Sequence, residues 1–213
     1  MKLYNIPEQI SGFLFDMDST LYTHPEYAQF QIDALILRLA AEKGTDLDQI
    51  RREMAEYRQM WTETHGGEIL SYVNTFAALG VPVETSVQWR SELYDPADFL
   101  HADPHLRNVL FSLGSDLALV TNNPVAVAEK TLNVLGIRNL FQVIVGLDTC
   151  LLSKPNPAPF LYALQSLNLN PDQCIAVGDR YDIDLSFPIS AGCGGILVDG
   201  VEDVYQIPAL LTR

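Results

Sequence analysis

The sequence predicts an α/β protein, in which a doubly wound core built on a parallel sheet carries a helical domain inserted after its first strand. Two observations support this fold class. In the second half of the chain, short apolar segments with strand character alternate with helical patterns, and repeated strand–helix units build parallel sheets. The seventy or so residues after the first strand instead keep helical apolar spacing throughout. We therefore assign residues 1–21 and 99–213 to the core and residues 22–98 to the inserted helical domain.

The first part of the chain contains one predicted strand followed by four predicted helices. Gly12–Phe15 is an apolar run that ends abruptly in Asp16, the pattern of a buried strand that meets a polar turn. Gly44 follows the first helical pattern as a stop signal, and Asp46 opens the second pattern as an N-cap. The expected helices are Pro25–Lys43, Asp46–Thr64, Glu68–Leu79 and Thr85–Leu93.

The second part of the chain alternates strands and helices. Asn123 is the expected cap of a helix with Pro124 at its first position and Gly136 after its end. Asn156 is the expected cap of the following helix. The expected strands are Leu117–Val120, Phe141–Val145, Cys174–Val177 and Gly195–Val198, and the two later helices are Pro157–Leu167 and Asp182–Ala191.

Composition and charge exclude several classes of function. The chain has 13 basic and 27 acidic residues and a formal net charge of −14, a field that repels a nucleic-acid polymer. No apolar stretch is long enough to cross a membrane, and the first residues do not have the pattern of a signal peptide. The 3 cysteines show no ligand spacing and fit a reducing compartment. We expect a cytoplasmic monomer or homodimer.

Reactive or polar side chains follow four of the predicted strands. Ligands of open parallel sheets bind beyond the carboxyl ends of the strands. Each group alone is typical of a turn or a helix cap, but their occurrence at successive strand ends indicates one site. The segments are Asp16-Met17-Asp18-Ser19-Thr20, Thr121-Asn122-Asn123, Ser153-Lys154-Pro155 and Gly178-Asp179, the last followed by Asp182 and Asp184.

These four segments resemble, in order, the four motifs of the haloacid dehalogenase superfamily. The resemblance covers about two thirds of the chain and implies a Rossmann-like core. The inserted helices resemble the cap domain that some members carry between the first and second motifs. Within the superfamily, the cap length and the run Thr-Asn-Asn are most similar to pyrimidine 5′-nucleotidases and phosphoglycolate phosphatases.

The resemblance implies a role for each motif. Asp16 would be the nucleophile that forms an aspartyl-phosphate, and Asp18 would be the general acid and base. Thr121, Asn122 and Lys154 would bind the phosphoryl group.

The resemblance also implies one Mg²⁺, held by Asp16, Asp18 and Asp179, with Asp18 contributing its backbone carbonyl. Either Asp184 or Asp182 could orient a metal-bound water, and the family spacing favours Asp184. Thr20 is expected to bind backbone near the nucleophile rather than substrate.

The predicted function is Mg²⁺-dependent hydrolysis of a small phosphomonoester. The first hypothesis for the substrate is a nucleoside 5′-monophosphate. It rests partly on the family resemblance and partly on Tyr22, Tyr27, Trp61 and Tyr72, which could stack on a base, although packing is the more usual role for most of these rings. The alternatives are a phosphoglycolate or sugar-phosphate phosphatase and a phosphomutase. A catalytically inactive module that binds a phosphorylated ligand is a further alternative, which the intact Asp16 and Asp18 disfavour.

Overall fold

A sheet of six strands forms the core of the computed structural model, which describes residues 1–211. The strand order is β1-β6-β5-β2-β3-β4, and all neighbours are parallel except β1 and β6. This arrangement confirms the predicted α/β class with a mainly parallel sheet. The strands are β1 (Lys2–Tyr4), β2 (Gly12–Phe15), β3 (Asp116–Val120), β4 (Val143–Val145), β5 (Cys174–Gly178) and β6 (Gly194–Leu197).

Strand β1 was not predicted, so the helical insertion follows the second strand of the chain rather than the first. This strand has three residues, of which Lys2 and Leu3 are exposed, and it therefore shows no apolar pattern. Its pairing depends on backbone hydrogen bonds to β6 at the edge of the sheet, where Lys2 lies opposite Leu197. Such an edge contact leaves little trace in the side chains.

The four helices predicted for the insertion after β2 are present: α1 (Pro25–Lys43), α2 (Leu47–Thr64), α3 (Tyr72–Ala78) and α4 (Val83–Leu93). The side chain of Asp46 accepts hydrogen bonds from the first turn of α2, and Gly44 ends α1 with a φ of 60°. Helix α3 is shorter than predicted because Ser71, whose Oγ accepts from the backbone N–H of Asn74, starts it.

The inserted helices have an apolar core of their own. Buried residues from all four helices form one cluster, and Val127 is the residue from the sheet domain that joins it. We keep the predicted boundaries of this domain, residues 22 and 98, as a proposal that the separate core supports. The main members of the cluster are Leu35, Leu39, Ile50, Met54, Phe76, Val81, Trp89 and Tyr94.

Helices cover both faces of the sheet. Helix α8 packs on Leu14 and Val120, whereas α5 and α6 pack on Phe13, Phe15 and the residues beside them. The remaining helices are α5 (Pro104–Ser112), α6 (Val125–Leu135), α7 (Leu147–Cys150), α8 (Pro157–Leu167), α9 (Ser186–Ser190), α10 (Val201–Val204) and α11 (Ile207–Leu211). None of the helices within residues 1–211 is long and apolar enough to cross a membrane.

Two predicted helix starts are wrong. Asn123 does not cap α6: the cap position is Pro124, and the first free N–H, that of Val125, donates to Asp148 Oδ1 at 2.8 Å. The helix predicted from Asp182 begins instead as a π-helical turn at Tyr181–Leu185, which α9 continues. The side chain of Asn123 is used in a tertiary contact with Asp18, and the turn at Tyr181–Leu185 is wider than an α-helical turn. Neither feature can be read from the local spacing of residues.

Candidate active site

The carboxyl ends of the strands bring a lysine and two aspartates into direct contact. Lys154 Nζ lies 2.5 Å from Asp16 Oδ1 and 2.7 Å from Asp184 Oδ1, and at most 4 % of any of these three side chains is exposed. Asp16 directly follows β2, and its N–H donates to Val177 O in β5. Burial lowers the pKa of Lys154, but the two carboxylates more than offset this, so its pKa is raised and it stays a cation.

Three carboxylates form a cluster that fits a hard metal ion. Oxygen atoms of Asp16, Asp179 and Asp184 all lie within 4.8 Å of one another. Asp179 Oδ1 is buried and has no hydrogen-bond partner among the described residues. Carboxylate oxygens are the ligands that Mg²⁺ takes in proteins, and a buried unpaired oxygen is stabilised by a cation. The residues present therefore fit Mg²⁺.

Burial disfavours the anionic form of Asp16 and Asp179. It raises the pKa of Asp16 to about 7, although Lys154 opposes the shift. It also raises the pKa of Asp179 to about 6 against the effect of Arg180, whose Nε lies 3.5 Å from Asp179 Oδ1. A further positive charge at the cluster would stabilise Asp16 and Asp179 as anions.

Of the two residues left open as supporting acids, the structure places Asp184 in the cluster. Asp184 Oδ2 also accepts from the backbone N–H of Arg180 at 3.1 Å. Asp182 is exposed, and it is not part of the carboxylate cluster. Helical geometry explains the difference, because side chains two residues apart on a helical turn face different sides.

Asp18 is held by three hydrogen-bond donors. Gln31 Nε2 donates to its Oδ1 at 3.1 Å, Asn123 Nδ2 donates to its Oδ2 at 2.9 Å, and the hydroxyl of Tyr22 makes a short hydrogen bond to Oδ1. Gln31 lies on α1, so the inserted helices contribute directly to the orientation of this carboxylate. Its side chain does not belong to the cluster of three aspartates.

Gln31 and Asn123 lie in the site, but neither was predicted as a site residue. Gln31 is spaced by four residues from the buried Tyr27 and Leu35, so a polar residue on the apolar stripe of α1 was the available signal. Asn123 lies at a strand end within a recognised motif, but its good fit to a helix start concealed its contact with Asp18.

The other predicted residues lie around this centre. Asn122 holds the lysine segment: its Oδ1 accepts from the N–H of Lys154 at 2.7 Å, and its Nδ2 donates to the carbonyl of Lys154. The Oγ1 of the buried Thr121 accepts from the N–H of Asn123. Thr20 Oγ1 lies 3.4 Å from Asp16 Oδ2 and donates to it, whereas a backbone partner was expected.

A cavity of about 240 Å³ lies between the strand ends and the inserted helices. Asp18, Asn123, Asp179 and Arg180 line it from the sheet side. Apolar residues of α1 and α3, together with Gln31, Tyr94 and Arg90, line it from the helical side. Drug-sized ligands usually occupy pockets of about 300–1,000 Å³, so this cavity suits a smaller molecule.

The fold and the site together are typical of one class of hydrolytic enzymes. In this class a mainly parallel sheet carries a buried lysine and a cluster of carboxylates at its strand ends, and an inserted helical domain covers them. The sequence pattern of the haloacid dehalogenase-like hydrolases matches residues 10–192. The chain therefore belongs to the haloacid dehalogenase-like hydrolase family. This confirms the resemblance described above and the prediction of an enzyme.

Curated relatives carry the name phosphoglycolate phosphatase. One from Colwellia psychrerythraea is 43 % identical over 70 residues, a match that covers 33 % of this chain and 31 % of that protein. One from Salmonella paratyphi A is 28 % identical over 218 residues, covering 89 % of this chain and 81 % of the relative. The first of these matches spans about a third of its relative and the second about four fifths.

Solved structures share the fold at low sequence identity. A HAD phosphatase from Thermococcus onnurineus has a TM-score of 0.62 at 18 % identity, with 95 % of this chain and 98 % of that chain covered. A predicted phosphoglycolate phosphatase from Haemophilus somnus has a TM-score of 0.58 at 22 % identity, covering 96 % and 99 %. β-Phosphoglucomutase from Clostridium difficile has a TM-score of 0.55 at 20 % identity, covering 95 % and 100 %.

Proposed function

We propose that this hydrolase is a Mg²⁺-dependent phosphatase of small phosphorylated metabolites, with a short phosphomonoester of the phosphoglycolate or sugar-phosphate class as its substrate. One observation carries the chemistry: the contact of Lys154 with Asp16 and Asp184 beside Asp179, at the strand ends next to the cavity. The names of the curated relatives support the phosphatase activity and the substrate class.

The first half of the reaction transfers the phosphoryl group to the protein. A carboxylate oxygen of Asp16 attacks phosphorus, the bond from phosphorus to the ester oxygen breaks, and Asp18 gives a proton to the leaving alkoxide. Gln31 and Asn123 hold the Asp18 carboxyl group in a fixed orientation for this proton transfer. Lys154 neutralises charge on the phosphoryl oxygens as the substrate reacts.

The second half returns the protein to its starting state. Asp18, now ionised, takes a proton from water as the water oxygen attacks phosphorus, and the bond between phosphorus and Asp16 breaks. Inorganic phosphate leaves, and Asp18 has regained its proton. The buried position of Asp16 excludes other nucleophiles from the intermediate.

Asp16, Asp179 and Asp184, with the backbone carbonyl of Asp18, would hold the Mg²⁺ ion. When bound, the ion supplies positive charge that favours the ionised Asp16 and offsets the charge of the phosphoryl oxygens. Cluster membership supports Asp184 over Asp182 in this set.

The relatives and the cavity favour the short substrates over the nucleotide that was the first hypothesis. Tyr22 and Tyr27 are buried, and Tyr22 is bonded to Asp18. Trp61 stacks on His65 with ring centroids 3.6 Å apart. Only Tyr72, of the four rings considered for stacking on a base, lines the cavity. The curated relatives named above support the alternative, a phosphoglycolate-type phosphatase.

The proposal is tested by measuring released phosphate with Mg²⁺ present, using phosphoglycolate, sugar monophosphates and pyrimidine nucleoside monophosphates at matched concentrations. We expect the highest kcat/KM within the first two classes. A tenfold preference for nucleotides would restore the first hypothesis, and turnover that requires a sugar bisphosphate would identify a phosphomutase. Absence of hydrolysis for every ester would refute the phosphatase. A cytoplasmic location and a monomeric or dimeric state also belong to the proposal, and size-exclusion chromatography tests the latter.

A further inference from the structure

Arg90 is a nearly buried cation without a carboxylate partner. It lies on α4, has 6 % of its surface exposed, and lines the cavity. Its Nε donates to Ser86 Oγ at 3.2 Å and one of its terminal nitrogens donates to Asn123 Oδ1 at 3.0 Å. Both acceptors are neutral, and none of the ion pairs within residues 1–211 includes this guanidinium.

An unpaired charge out of water is costly, so buried charges are normally paired. The chain has 27 acidic residues, and a carboxylate partner would be easy to supply. Arg180, the other arginine of the cavity, illustrates the usual solution, because it lies beside Asp179 and Asp184. The charge of Arg90 is therefore available to an anion that enters the cavity.

The position of Arg90 specifies where that anion would lie. Asn123, which accepts its hydrogen bond, donates in turn to Asp18 Oδ2 at 2.9 Å. The guanidinium is thus two hydrogen bonds from the carboxyl group that we propose protonates the leaving oxygen. The other cavity residues from the inserted helices are apolar or neutral, among them Ile32, Leu35 and Phe76.

We propose that Arg90 determines specificity by binding a carboxylate on the leaving group of the substrate, one or two carbons from the ester oxygen. This inference rests on the proposed phosphatase function and refines its substrate class. The free N–H groups of the guanidinium match a carboxylate in geometry as well as charge. The cavity of about 240 Å³ leaves room for only a short chain between the two anionic ends.

The first test measures binding, so that it does not depend on turnover. The probes are 3-phosphonopropionate and propylphosphonate, two non-hydrolysable compounds of equal length that differ in a terminal carboxylate or methyl group. Calorimetry with Mg²⁺ should show that the wild type binds the carboxylate probe about 10- to 100-fold more tightly, the range for a hydrogen bond to a charged group. Equal affinities for the two probes in the wild type would overturn the proposal.

Variants then assign the preference to one residue. Arg90→Gln should abolish the preference by weakening the carboxylate probe alone, and Arg90→Lys should keep part of it because the charge remains. Arg52→Gln, which removes an exposed charge on α2, should keep the full preference. If Arg90→Gln weakened both probes to the same extent, the residue would have a structural role only, and the proposal would be wrong.

The second test compares kcat/KM for phosphoglycolate and ethyl phosphate. We expect the same preference for phosphoglycolate in the wild type and its loss in Arg90→Gln. Failure of the wild type to hydrolyse either ester, together with intact discrimination between the phosphonates, would refute the phosphatase while supporting carboxylate binding by Arg90. Hydrolysis of both esters with equal kcat/KM, together with equal binding of the two phosphonates, would support the phosphatase and refute carboxylate binding by Arg90.

Discussion

The charged side chains at the strand ends are buried, and burial makes the ionised form of a carboxyl group less favourable. Asp16, Asp179 and Asp184 carry three negative charges when ionised, and Lys154 and Arg180 supply two positive charges beside them. Burial raises the pKa of Asp16 to about 7, so the proposed nucleophile is only partly ionised at neutral pH without further positive charge. The ionisation of each aspartate therefore depends on the charged groups beside it and on its burial.

At this scale, Asp16→Asn tests the nucleophile. The amide keeps the size of the side chain but cannot attack phosphorus, so kcat should fall by at least about a thousandfold. Asp182→Asn is the matched control, since it makes the same chemical change on an exposed carboxylate nearby, and it should keep the wild-type rate. Phosphate release by purified, folded protein is the measurement. An Asp16→Asn variant that keeps more than a tenth of the rate would contradict the assignment.

Elements position these residues through the way in which they end. After β5 the chain enters the π-helical turn Tyr181–Leu185, which brings the side chain of Asp184 back over Gly178. A Cβ atom added at Gly178 would lie 2.4 Å from Cβ and 2.8 Å from Cγ of Asp184. Because Gly178 has no side chain, the side chain of Asp184 can lie directly over it.

Gly178→Ala should consequently displace Asp184 from Lys154 and reduce kcat by at least about tenfold, because a positioned group near the phosphoryl site is lost. Gly195→Ala in the neighbouring β6 is the control. There the added methyl meets the end of the flexible Ile189 side chain at 2.8 Å, and its nearest atoms belong to Ile189 and Tyr4 rather than to a site residue. Both variants should lose about 1–3 kcal/mol of stability, but only Gly178→Ala should lose activity. Equal activities at equal concentrations of folded protein would refute this explanation.

In the whole molecule, the cavity lies between the sheet domain, which has an apolar core on each face of its sheet, and the inserted helices, which have a core of their own. Hydrogen bonds between the two domains involve the site residues directly. Gln31 of α1 donates to Asp18, and Ser71 Oγ lies 3.3 Å from the Oγ of Ser153, the residue before Lys154. The formal net charge of −14 also means that the molecule attracts cations and repels anions at long range. Local positive groups must therefore bind the substrate.

Mg²⁺ should stabilise the whole fold, because an ion that binds the native carboxylate cluster shifts the folding equilibrium. At about a hundred times its dissociation constant, the gain is about 2.7 kcal/mol, and about 2–4 °C per kcal/mol is typical of a chain of this size. Thermal unfolding with and without Mg²⁺ measures the shift, and a chelator should reverse it and abolish phosphate release.

The matched variants for this experiment are Asp184→Asn and Asp182→Asn. Removing the clustered carboxylate should reduce the Mg²⁺-dependent shift in Tm, whereas removing the exposed one should leave it unchanged. A wild type whose Tm does not respond to Mg²⁺ would show that the cluster does not bind the ion. Equal responses of the two variants would show that Asp184 takes no part in holding it.

The sequence by itself determined the fold class, the helical insertion and the segments that meet at the strand ends. These features follow from local patterns: apolar periodicity marks the elements, and the topology of a parallel sheet brings its carboxyl ends to one edge. Asp16, Lys154 and Asp179 could be selected on this basis. Strand β1 could not be predicted, because its pairing depends on backbone bonds to a strand almost two hundred residues away.

Only the tertiary structure decided which partners the polar and charged side chains of the site have. Asn123 fits a helix cap by its local sequence, but it bonds to Asp18 and Arg90 instead. The choice of Asp184 over Asp182 depends on which side of the helical turn faces Lys154. The absence of a carboxylate partner for Arg90 among the described residues depends on which residues lie around this side chain in space. The physical reason is the same in each case: hydrogen bonds and charges are satisfied by neighbours in space, and sequence spacing specifies those neighbours only within a single element.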